Sequence, residues 1–352
     1  MHKFDYSFLK TGLSSKLVGA CNLIIDLNSK ENIKKLQYKD SFIALQNKAI
    51  VDSVKASNAI EGIVTTDERI KDIFNGSKPI THDEKEISGY KNALNLIHKE
   101  YQKLDINEDL ILSLHKMIES EANPKEAGKY KLRDNLIIEL DDVGNRTIRF
   151  NPVKAKDTKE SMKQLLLAYY DARQDSEIID LFLIPCVVLD FLCIHPFMDG
   201  NGRVSRLLTV LLLYFSGYDI SKYVSIEKQI NEYKDNYYEA LQESSKLWHN
   251  NKNIYEPFIL FFLQILYKCY KELDDTFMNI SLKKAKKNER IEFIINSTIT
   301  PISKTEIANK LPDVSIKTIE STLANLLRNN KIKKIGSYKN ARYIKNISNT
   351  KS

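Results

Sequence analysis

The sequence predicts a mainly helical fold that is interrupted by one β-hairpin and followed by a small separate domain. Apolar residues recur at helical spacing along most of the chain. Glycine and proline number only 11 and 8 among 352 residues, which disfavours long linkers. One stretch, between Gly128 and Pro152, changes to short apolar runs around turn residues. A chain of this length is expected to form two or three domains.

The predicted helices share an apolar face that recurs about every 3.6 residues. They cover 41–60, 83–101, 108–120, 157–171, 180–193, 203–215, 231–247 and 256–279. Residues 1 to about 40 have mixed apolar spacing and predict no defined element. The predicted hairpin pairs residues 136–138 with residues 147–150 around the turn 141–145.

Composition favours a folded protein of the cytoplasm without a membrane span. Hydrophobic residues make up 43% of the chain and charged residues 28%. The longest apolar stretches, 181–194 and 207–215, are too short to cross a bilayer, and the first residues lack the apolar core of a signal peptide. The 4 cysteines form no Cys-x-x-Cys pair, which predicts reduced thiols and no structural zinc site.

Basic charge is concentrated in the last part of the chain. Residues 281–352 contain 16 Lys and Arg against 5 Asp and Glu, although the whole chain carries only +7. Three helices at about 288–297, 303–311 and 315–329, capped at Ser303 and Ser315, precede a second hairpin. This order resembles a winged helix over residues 285–346, which implies DNA contact or a protein-interaction role. The candidate phosphate contacts are Lys317, Arg328, Lys333, Lys334, Lys339 and Arg342.

The loop at residues 195–206 has the composition of a polyphosphate site. Glycines directly before a helix let the backbone approach phosphate, and successive N–H groups at a helix N-terminus bind anions. Arg203 and Arg206 share one face of the first helical turns and can both bind phosphate oxygens. The residues predicted to form the cradle are Gly200, Asn201 and Gly202.

Three further residues of this loop have separate predicted roles. Asp199 offers a hard oxygen ligand for a Mg²⁺ that bridges phosphates. His195 can accept a proton from an attacking hydroxyl near neutral pH. Phe197 is apolar and is predicted to attach the loop to the core. A lone Asp-Gly-Asn-Gly is usually only a turn, so the argument depends on the whole string.

The twelve residues His-Pro-Phe-Met-Asp-Gly-Asn-Gly-Arg-Val-Ser-Arg at 195–206 resemble the signature of the Fic (Fido) family at every specified position. The resemblance implies a Fic-type helical bundle that transfers AMP from ATP to a Ser, Thr or Tyr hydroxyl of a protein, with release of pyrophosphate. It implies that His195 is the general base, that Asp199 holds Mg²⁺ and that residues 200–202 cradle the α- and β-phosphates. Arg203 would contact the β-phosphate and Arg206 the γ-phosphate.

A second motif, Ser57-Asn58-Ala59-Ile60-Glu61-Gly62, ends the predicted helix at about 41–62. A carboxylate at a helix C-terminus opposes the helix dipole, so a positive partner would explain it. The motif resembles the Fic inhibitory motif, which implies that Glu61 pairs with Arg206 and that Ser57 helps to seat the helix. Neutralising Arg206 would deprive ATP of its γ-phosphate contact, and relatives also use this glutamate to remove AMP.

Other features fit the resemblance less closely. The hairpin at 136–150 corresponds to the family's flap, which pairs with an extended target segment. Tyr237 and Tyr238 correspond to the aromatic pair beside the adenine, although aromatic residues at helical spacing more often belong to a core. Relatives carry an Asn where this chain reads Glu243-Ser244-Ser245, which leaves nucleotide preference open.

These observations predict an N-terminal helical region at 1–105, a Fic catalytic core at 106–280 and the winged helix at 285–346. The leading hypothesis is an autoinhibited AMP transferase that uses ATP and Mg²⁺ on a protein target or on itself, with a homodimer as a further implication of the resemblance. One alternative is a DNA-binding regulator whose Fic core senses a nucleotide. Another is a Fic enzyme that moves a different phosphate-containing group or removes AMP.

Overall fold

A computed structural model describes residues 2–140, 146–284, 286–298, 301–337 and 341–346. The chain divides into two compact units, Met1–Leu273 and Asp274–Ser352. The structure is mainly helical, as the sequence predicts. Within the described part of the chain, no helix is long and apolar enough to cross a membrane.

Eleven helices begin in the described part of the first unit, and one hairpin stands between the fifth and the sixth. The helices are α1 (Ser15–Gln37), α2 (Lys39–Ile60), α3 (Asp67–Phe74), α4 (His82–Glu100), α5 (Glu108–Glu119), α6 (Ala155–Gln174), α7 (Asp180–Ile194), α8 (Asn201–Phe215), α9 (Ile226–Glu232), α10 (Lys234–Ser245) and α11 (Glu256–Lys284). Strands β1 (Ile137–Leu140) and β2 (Arg146–Phe150) pair antiparallel, with Ile138 opposite Ile148.

Local chemistry explains where several of these helices begin. The side chains of Ser14, Thr66, Thr81 and Asn107 each accept a hydrogen bond from a backbone N–H in the first turn of the helix that follows. Helix α7 is apolar almost throughout, α8 is apolar in its second half, and both are buried along nearly their whole length. They therefore form the centre of the bundle, and the loop between them is fixed at both ends.

The packing of α4 against α5 depends on Gly89. A Cβ atom at this position would lie 2.4 Å from the carbonyl oxygen of Ile118, so a larger residue would force the two helices apart. This close approach brings the buried carboxylates of Glu86 and Glu119 to the start of α8.

Three helical features differ from the predictions. Helix α1 was not predicted, because apolar residues such as Val18, Ile25 and Leu36 lie on its exposed side and obscure the one-sided pattern. The short helix α3 was also missed. The helix predicted at 231–247 is instead α9 and α10, which meet at Tyr233 with φ −114° and ψ 38°.

The second unit has the order helix, strand, helix, helix, strand, strand. The elements are α12 (Lys287–Ser297), β3 (Ile302–Ser303), α13 (Lys304–Lys310), α14 (Ile316–Arg328), β4 (Ile332–Ile335) and β5 (Arg342–Lys345). The strands form one antiparallel sheet in the order β3-β5-β4. A core that includes Ile307, Ile319 and Leu323 joins the helices to the sheet. Ser303 and Ser315 cap α13 and α14, as predicted.

Candidate active site

His195 directly follows the last residue of α7 and adopts the left-handed conformation, with φ 52° and ψ 62°. Its backbone N–H donates to the carbonyl oxygen of Phe191 at 2.9 Å, so it closes the helix. Its Nδ1 lies 3.3 Å from the carbonyl oxygen of Leu192, and this contact places the ring proton on Nδ1. Nε2 is then left as a proton acceptor.

The imidazole of His195 is neutral at pH 7. Burial, followed by the nearby Lys131 ammonium, lowers the pKa of His195 to about 4, against the opposite effect of Glu61 and Asp199. A neutral imidazole with a free Nε2 is the form that can take a proton from a hydroxyl.

The loop after His195 is held by its own side chains. Asn201 receives a bond from the Phe197 N–H at 2.9 Å and donates to the Phe197 carbonyl at 2.8 Å. The Phe197 ring is fully buried and stacks on His115 with 3.8 Å between centroids, so it attaches the loop to the core. Gly200 has φ 78° and precedes α8, which leaves the first N–H groups of this helix unbonded within it.

Asp199 is the exposed member of the loop, with 69% of its side chain accessible. Its Oδ1 accepts from the Gly200 N–H at 2.6 Å and lies 3.5 Å from Nη2 of Arg203. A carboxylate that is fixed through one oxygen and open to solvent suits a hard cation such as Mg²⁺, with phosphate and water supplying the other ligands. The residues present therefore fit this ion.

Arg203 lies in the core, away from the cavity beside His195. Its Nη2 is 2.9 Å from Glu119 and its Nη1 is 3.2 Å from Glu86, and all three side chains are at most 3% accessible. Nε and Nη1 make no aligned hydrogen bond within the described residues, so these contacts are ion pairs. The resemblance implies that Arg203 contacts phosphate, but in this structure its guanidinium points into the core toward Glu86 and Glu119 and does not line the cavity.

Arg206 is also buried, but its partners come from α2. Its Nε donates to Ser57 Oγ at 2.8 Å, and its Nη2 donates to the Ser57 carbonyl and to Glu61 Oε1, each at 2.8 Å. Burial lowers the pKa of Arg206, but Glu61, Tyr237 and Tyr90 together raise it by more, so the net shift is upward. The Glu61 side chain is 32% accessible.

Glu61 also lies against the phosphate cradle. A Cβ atom at Gly202 would be 2.1 Å from Glu61 Oε1, so this carboxylate touches the backbone of the loop where no side chain intervenes. Glu61 therefore places negative charge at the N-terminus of α8, where an anion is expected to bind.

A cavity of about 410 Å³ joins these groups. His195, Gly202, Arg206 and Glu61 line one part of it, and the flap, α10 and the last turns of α7 line the rest. Such a volume is typical of small-molecule sites. A groove of about 580 Å³ also lies between the first residues and residues 251–259, but it contains no residue of the signature loop.

The two tyrosines predicted beside a base differ in position. Both line the cavity, but Tyr237 is buried at 5% exposure and is held by α11 and Arg206. The Tyr238 ring faces the flap, and the Arg149 guanidinium lies over it at 4.5 Å. Arg149 also donates to the Tyr238 carbonyl, which connects β2 to α10.

Sequence reasoning missed several residues that support the site. Glu86 and Glu119 hold Arg203, and His115 supports Phe197. Lys131, just before the flap, donates to two carbonyls that flank His195. Lys131 could have been found from its position, because it is a charged residue that directly precedes the predicted flap. The two glutamates stand on the buried side of helices predicted as amphipathic.

Comparison with known proteins identifies the central part of the chain. Residues 105–213 match the Fic/DOC family. The chain contains a Fic domain. This domain includes α5, the flap, α7, the signature loop and most of α8, but it excludes Glu61 and the two tyrosines.

Two relatives match parts of the chain. The protein adenylyltransferase fic-1 of Caenorhabditis elegans is 30% identical over 126 residues, which are 35% of this chain and 22% of that protein. A Fido domain-containing protein of Dictyostelium discoideum is 40% identical over 63 residues, 16% of this chain and 43% of the relative. The chain therefore spans less than half the length of these relatives.

Solved structures support the Fic fold beyond the matched segment. A Fic family protein from Desulfovibrio desulfuricans superposes with a TM-score of 0.64 at 17% identity, covering 97% of this chain and 99% of that one. Residues 134–508 of Fic-1 from C. elegans give 0.57 at 20% identity, covering 74% and 73%. The mainly helical Fic-type fold predicted from sequence is confirmed.

Proposed function

We propose that this chain is an autoinhibited protein AMP transferase, which moves AMP from ATP to a hydroxyl of a protein target or of itself. The observation that supports this most directly is the contact of Glu61 with both Arg206 and the Gly202 backbone, beside His195, in one cavity. A base and an anion cradle of the Fic domain thus lie together with a releasable carboxylate from outside the matched segment.

His195 acts as the general base in this proposal. As the target oxygen forms a bond to the α-phosphorus, the proton of the hydroxyl passes to Nε2 of His195, and the bond between the α-phosphorus and the bridging oxygen breaks. Pyrophosphate leaves with that electron pair. The Nδ1 contact with the Leu192 carbonyl orients the ring and stabilises its protonated form.

The N-terminus of α8 binds the phosphates. Asn201 and Gly202 present backbone N–H groups there, Gly200 makes the left-handed turn into the helix while its own N–H bonds to Asp199, and Arg206 supplies a cation for the γ-phosphate once Glu61 has left. Asp199 would hold Mg²⁺, which would supply positive charge to neutralise the phosphates. The flap and Tyr238 enclose the nucleoside side of the cavity.

Autoinhibition follows from the charge of Glu61. While its carboxylate lies on Gly202 and bonds to Arg206, a phosphate would meet like charge and would lack its cation. Because the Glu61 side chain is partly accessible, its carboxylate can move into solvent, and an incoming phosphate can then replace it as the anion that neutralises the buried Arg206.

The test is the Glu61→Gly variant incubated with ATP and Mg²⁺. We expect AMP incorporation to rise by at least about tenfold, since one freed charge-assisted contact is worth roughly 1.5–3 kcal/mol. Mass spectrometry of the product gives the added mass, which distinguishes AMP from another group, and identifies the modified residue. Glu61→Gly/His195→Ala is the control and should be inactive.

Each failure would have a distinct meaning. No covalent addition from ATP by Glu61→Gly would contradict the transferase, and equal activity of wild type and Glu61→Gly would contradict the inhibition alone. Loss of AMP from a modified protein that requires Glu61 would support the removal reaction instead.

A second candidate function is DNA binding by residues 285–346. The order of elements supports a winged helix, and Lys317 and Arg328 on α14 and Lys333 and Lys334 on β4 are exposed. Of the other predicted contacts, Arg342 pairs with Glu306 at 3.2 Å, and Lys339 lies outside the described residues.

Duplex binding by the full chain tests this second function. Lys317→Ala/Arg328→Ala should weaken binding and lower the salt slope by about 2, because two phosphate contacts are lost. Lys30→Ala/Lys103→Ala removes two exposed charges from the first unit and is the control. Absence of binding by the wild-type chain at about 50 mM salt would reject the proposal.

A further inference from the structure

The segment 131–135, here called the flap base, is bonded to the signature loop on both sides of His195. The Lys131 backbone N–H donates to the Pro196 carbonyl at 2.9 Å, and the Lys131 ammonium donates to the Ile194 carbonyl at 3.2 Å. One residue therefore binds the carbonyl before His195 and the carbonyl after it.

Asn135 completes this connection. Its Nδ2 donates to the Phe197 carbonyl at 3.1 Å, and its Oδ1 accepts from the Lys131 ammonium at 2.9 Å. Asp134 accepts from the Ala155 N–H at 2.7 Å, which joins the two ends of the flap. The flap and the loop that carries His195 are thus one bonded assembly.

The Lys131 ammonium also lies where α7 ends. The last carbonyls of a helix have no partner within the helix, and the helix dipole makes this end negative. The buried Lys131 ammonium donates to the unpaired Ile194 carbonyl and also places positive charge at the negative end of the helix dipole. The left-handed position after a helix usually holds glycine, whereas here His195 adopts it with φ 52°. A non-glycine residue in this region costs about 1 kcal/mol or more, so neighbouring contacts must hold it.

We propose that Lys131, assisted by Asn135, is a positioning residue that fixes the backbone on both sides of His195 and so aims its imidazole at the target hydroxyl. This inference rests on the proposed transferase function. Lys131 is absent from the cavity wall, since its side chain is only 3% exposed and its ammonium bonds to Asn135 and Ile194. It acts through His195 rather than on substrate.

The charge of Lys131 has a second consequence for the same imidazole. Three charged groups influence His195: Lys131 from the flap base, Glu61 from α2 and Asp199 from the loop. Lys131 is the cation among them and disfavours the protonated ring. Burial lowers the pKa of Lys131 itself to about 8, so it remains largely charged at pH 7.

Lys131→Met is a suitable variant because it keeps the length of the side chain. It leaves the Ile194 carbonyl and Asn135 Oδ1 without this donor, so we expect the variant to be less stable than its parent, and urea denaturation checks that it still folds. Lys129→Met is the matched control, since Lys129 is exposed and its ammonium bonds only to the nearby Lys125 carbonyl among the contacts described.

The experiment measures AMP transfer in the Glu61→Gly background for both variants, for Lys131→Arg and for Asn135→Ala. For Lys131→Met we expect kcat to fall by about 10- to 100-fold while KM for ATP stays within about twofold, as for a displaced catalytic group. Asn135→Ala should lower kcat by less than Lys131→Met does, and Lys131→Arg should retain part of the activity. Lys129→Met should have the same kcat and KM as the Glu61→Gly parent.

The pH profile separates positioning of His195 from a general structural role. The base acts unprotonated, so activity falls as pH drops through the pKa of His195. Removing the Lys131 cation raises that pKa, and the acid limb of kcat moves to higher pH in Lys131→Met but not in Lys131→Arg. Lys131→Met with the kcat and acid limb of its parent, or with a loss confined to KM, would overturn the proposal. An inactive Glu61→Gly parent would instead refute the transferase itself.

Discussion

Arg203 and Arg206 lie three residues apart on α8 and differ in their acidic partners. Arg203 is held by acids that stay in the core, whereas the acidic partner of Arg206 can be replaced by another anion. Both guanidinium groups are at most 2% accessible. The two nearest acidic partners of Arg203, Glu86 and Glu119, are equally buried, and exposed Asp199 is farther away at 3.5 Å, whereas Glu61, the acidic partner of Arg206, is 32% accessible. The difference lies in the acids and not in the arginines.

This difference determines which contact can be broken. Removing one partner from a fully buried ion pair leaves an uncompensated charge and costs about 3–5 kcal/mol. A carboxylate that can turn into water avoids most of that cost. Arg203 therefore holds α8 against α4 and α5, and Arg206 is the cation that can exchange Glu61 for a phosphate.

Arg203→Met should produce the largest effect on stability. We expect the free energy of unfolding to fall by about 3–5 kcal/mol, because Glu86 and Glu119 lose their cation inside the core. Arg206→Met is the matched variant and should cost less, about 1–3 kcal/mol, since Glu61 can reach solvent and the loss is that of the bonds to buried Ser57. Urea denaturation of both variants measures the difference.

The stability that Arg203→Met loses should also depend on pH. Burial raises the pKa of Glu86, while Arg203 lowers it and Glu119 raises it further. Without Arg203 the pKa of Glu86 in the folded state rises further, because the cation that lowered it is gone. A raised carboxyl pKa gives stability that is present below the unfolded-state value and lost as pH increases through the folded-state value. The deficit of Arg203→Met should be larger at pH 8 than at pH 5. A deficit equal to that of Arg206→Met at both pH values would remove the distinction between the two sites.

Ser57→Ala should have a smaller effect at the exchangeable site. It removes the hydroxyl that accepts from Arg206 Nε but retains the Ser57 carbonyl and the Glu61 contact. We expect a loss of about 1 kcal/mol in the docking of α2 and a rise in AMP transfer of roughly fivefold, below that of Glu61→Gly. Initial rates with labelled ATP measure this. A rise equal to that of Glu61→Gly would mean that Ser57, and not the carboxylate, holds Arg206.

The sequence predicted the contiguous parts of the site and missed those that tertiary packing assembles. Residues 195–206 form one string, and its glycines, His and Asp have roles that follow from residue type and order. Nothing in the sequence links Glu86 to Arg203 across more than a hundred positions, because that contact depends on the close approach of α4 and α5 at Gly89.

The strength of the apolar pattern explains which helices could be predicted from the sequence. Amphipathic α4 and α5 were predicted close to their observed bounds, because their buried residues recur on one face. Helix α1 carries apolar residues on both its buried and its exposed sides, so its periodicity is weak. The sequence also does not reveal that Arg206, and not Arg203, has the exchangeable acidic partner, since the two arginines are of the same type and lie on the same helix.

The contact between Glu61 and Arg206 joins two residues of one chain, 145 positions apart. Its strength is therefore set by the local concentration that the fold imposes and not by the amount of protein present. Dilution leaves it unchanged, whereas a soluble anion must compete with a tethered one. The resting level of the proposed activity is consequently a property of each molecule, and it responds to nucleotide concentration or to whatever displaces α2.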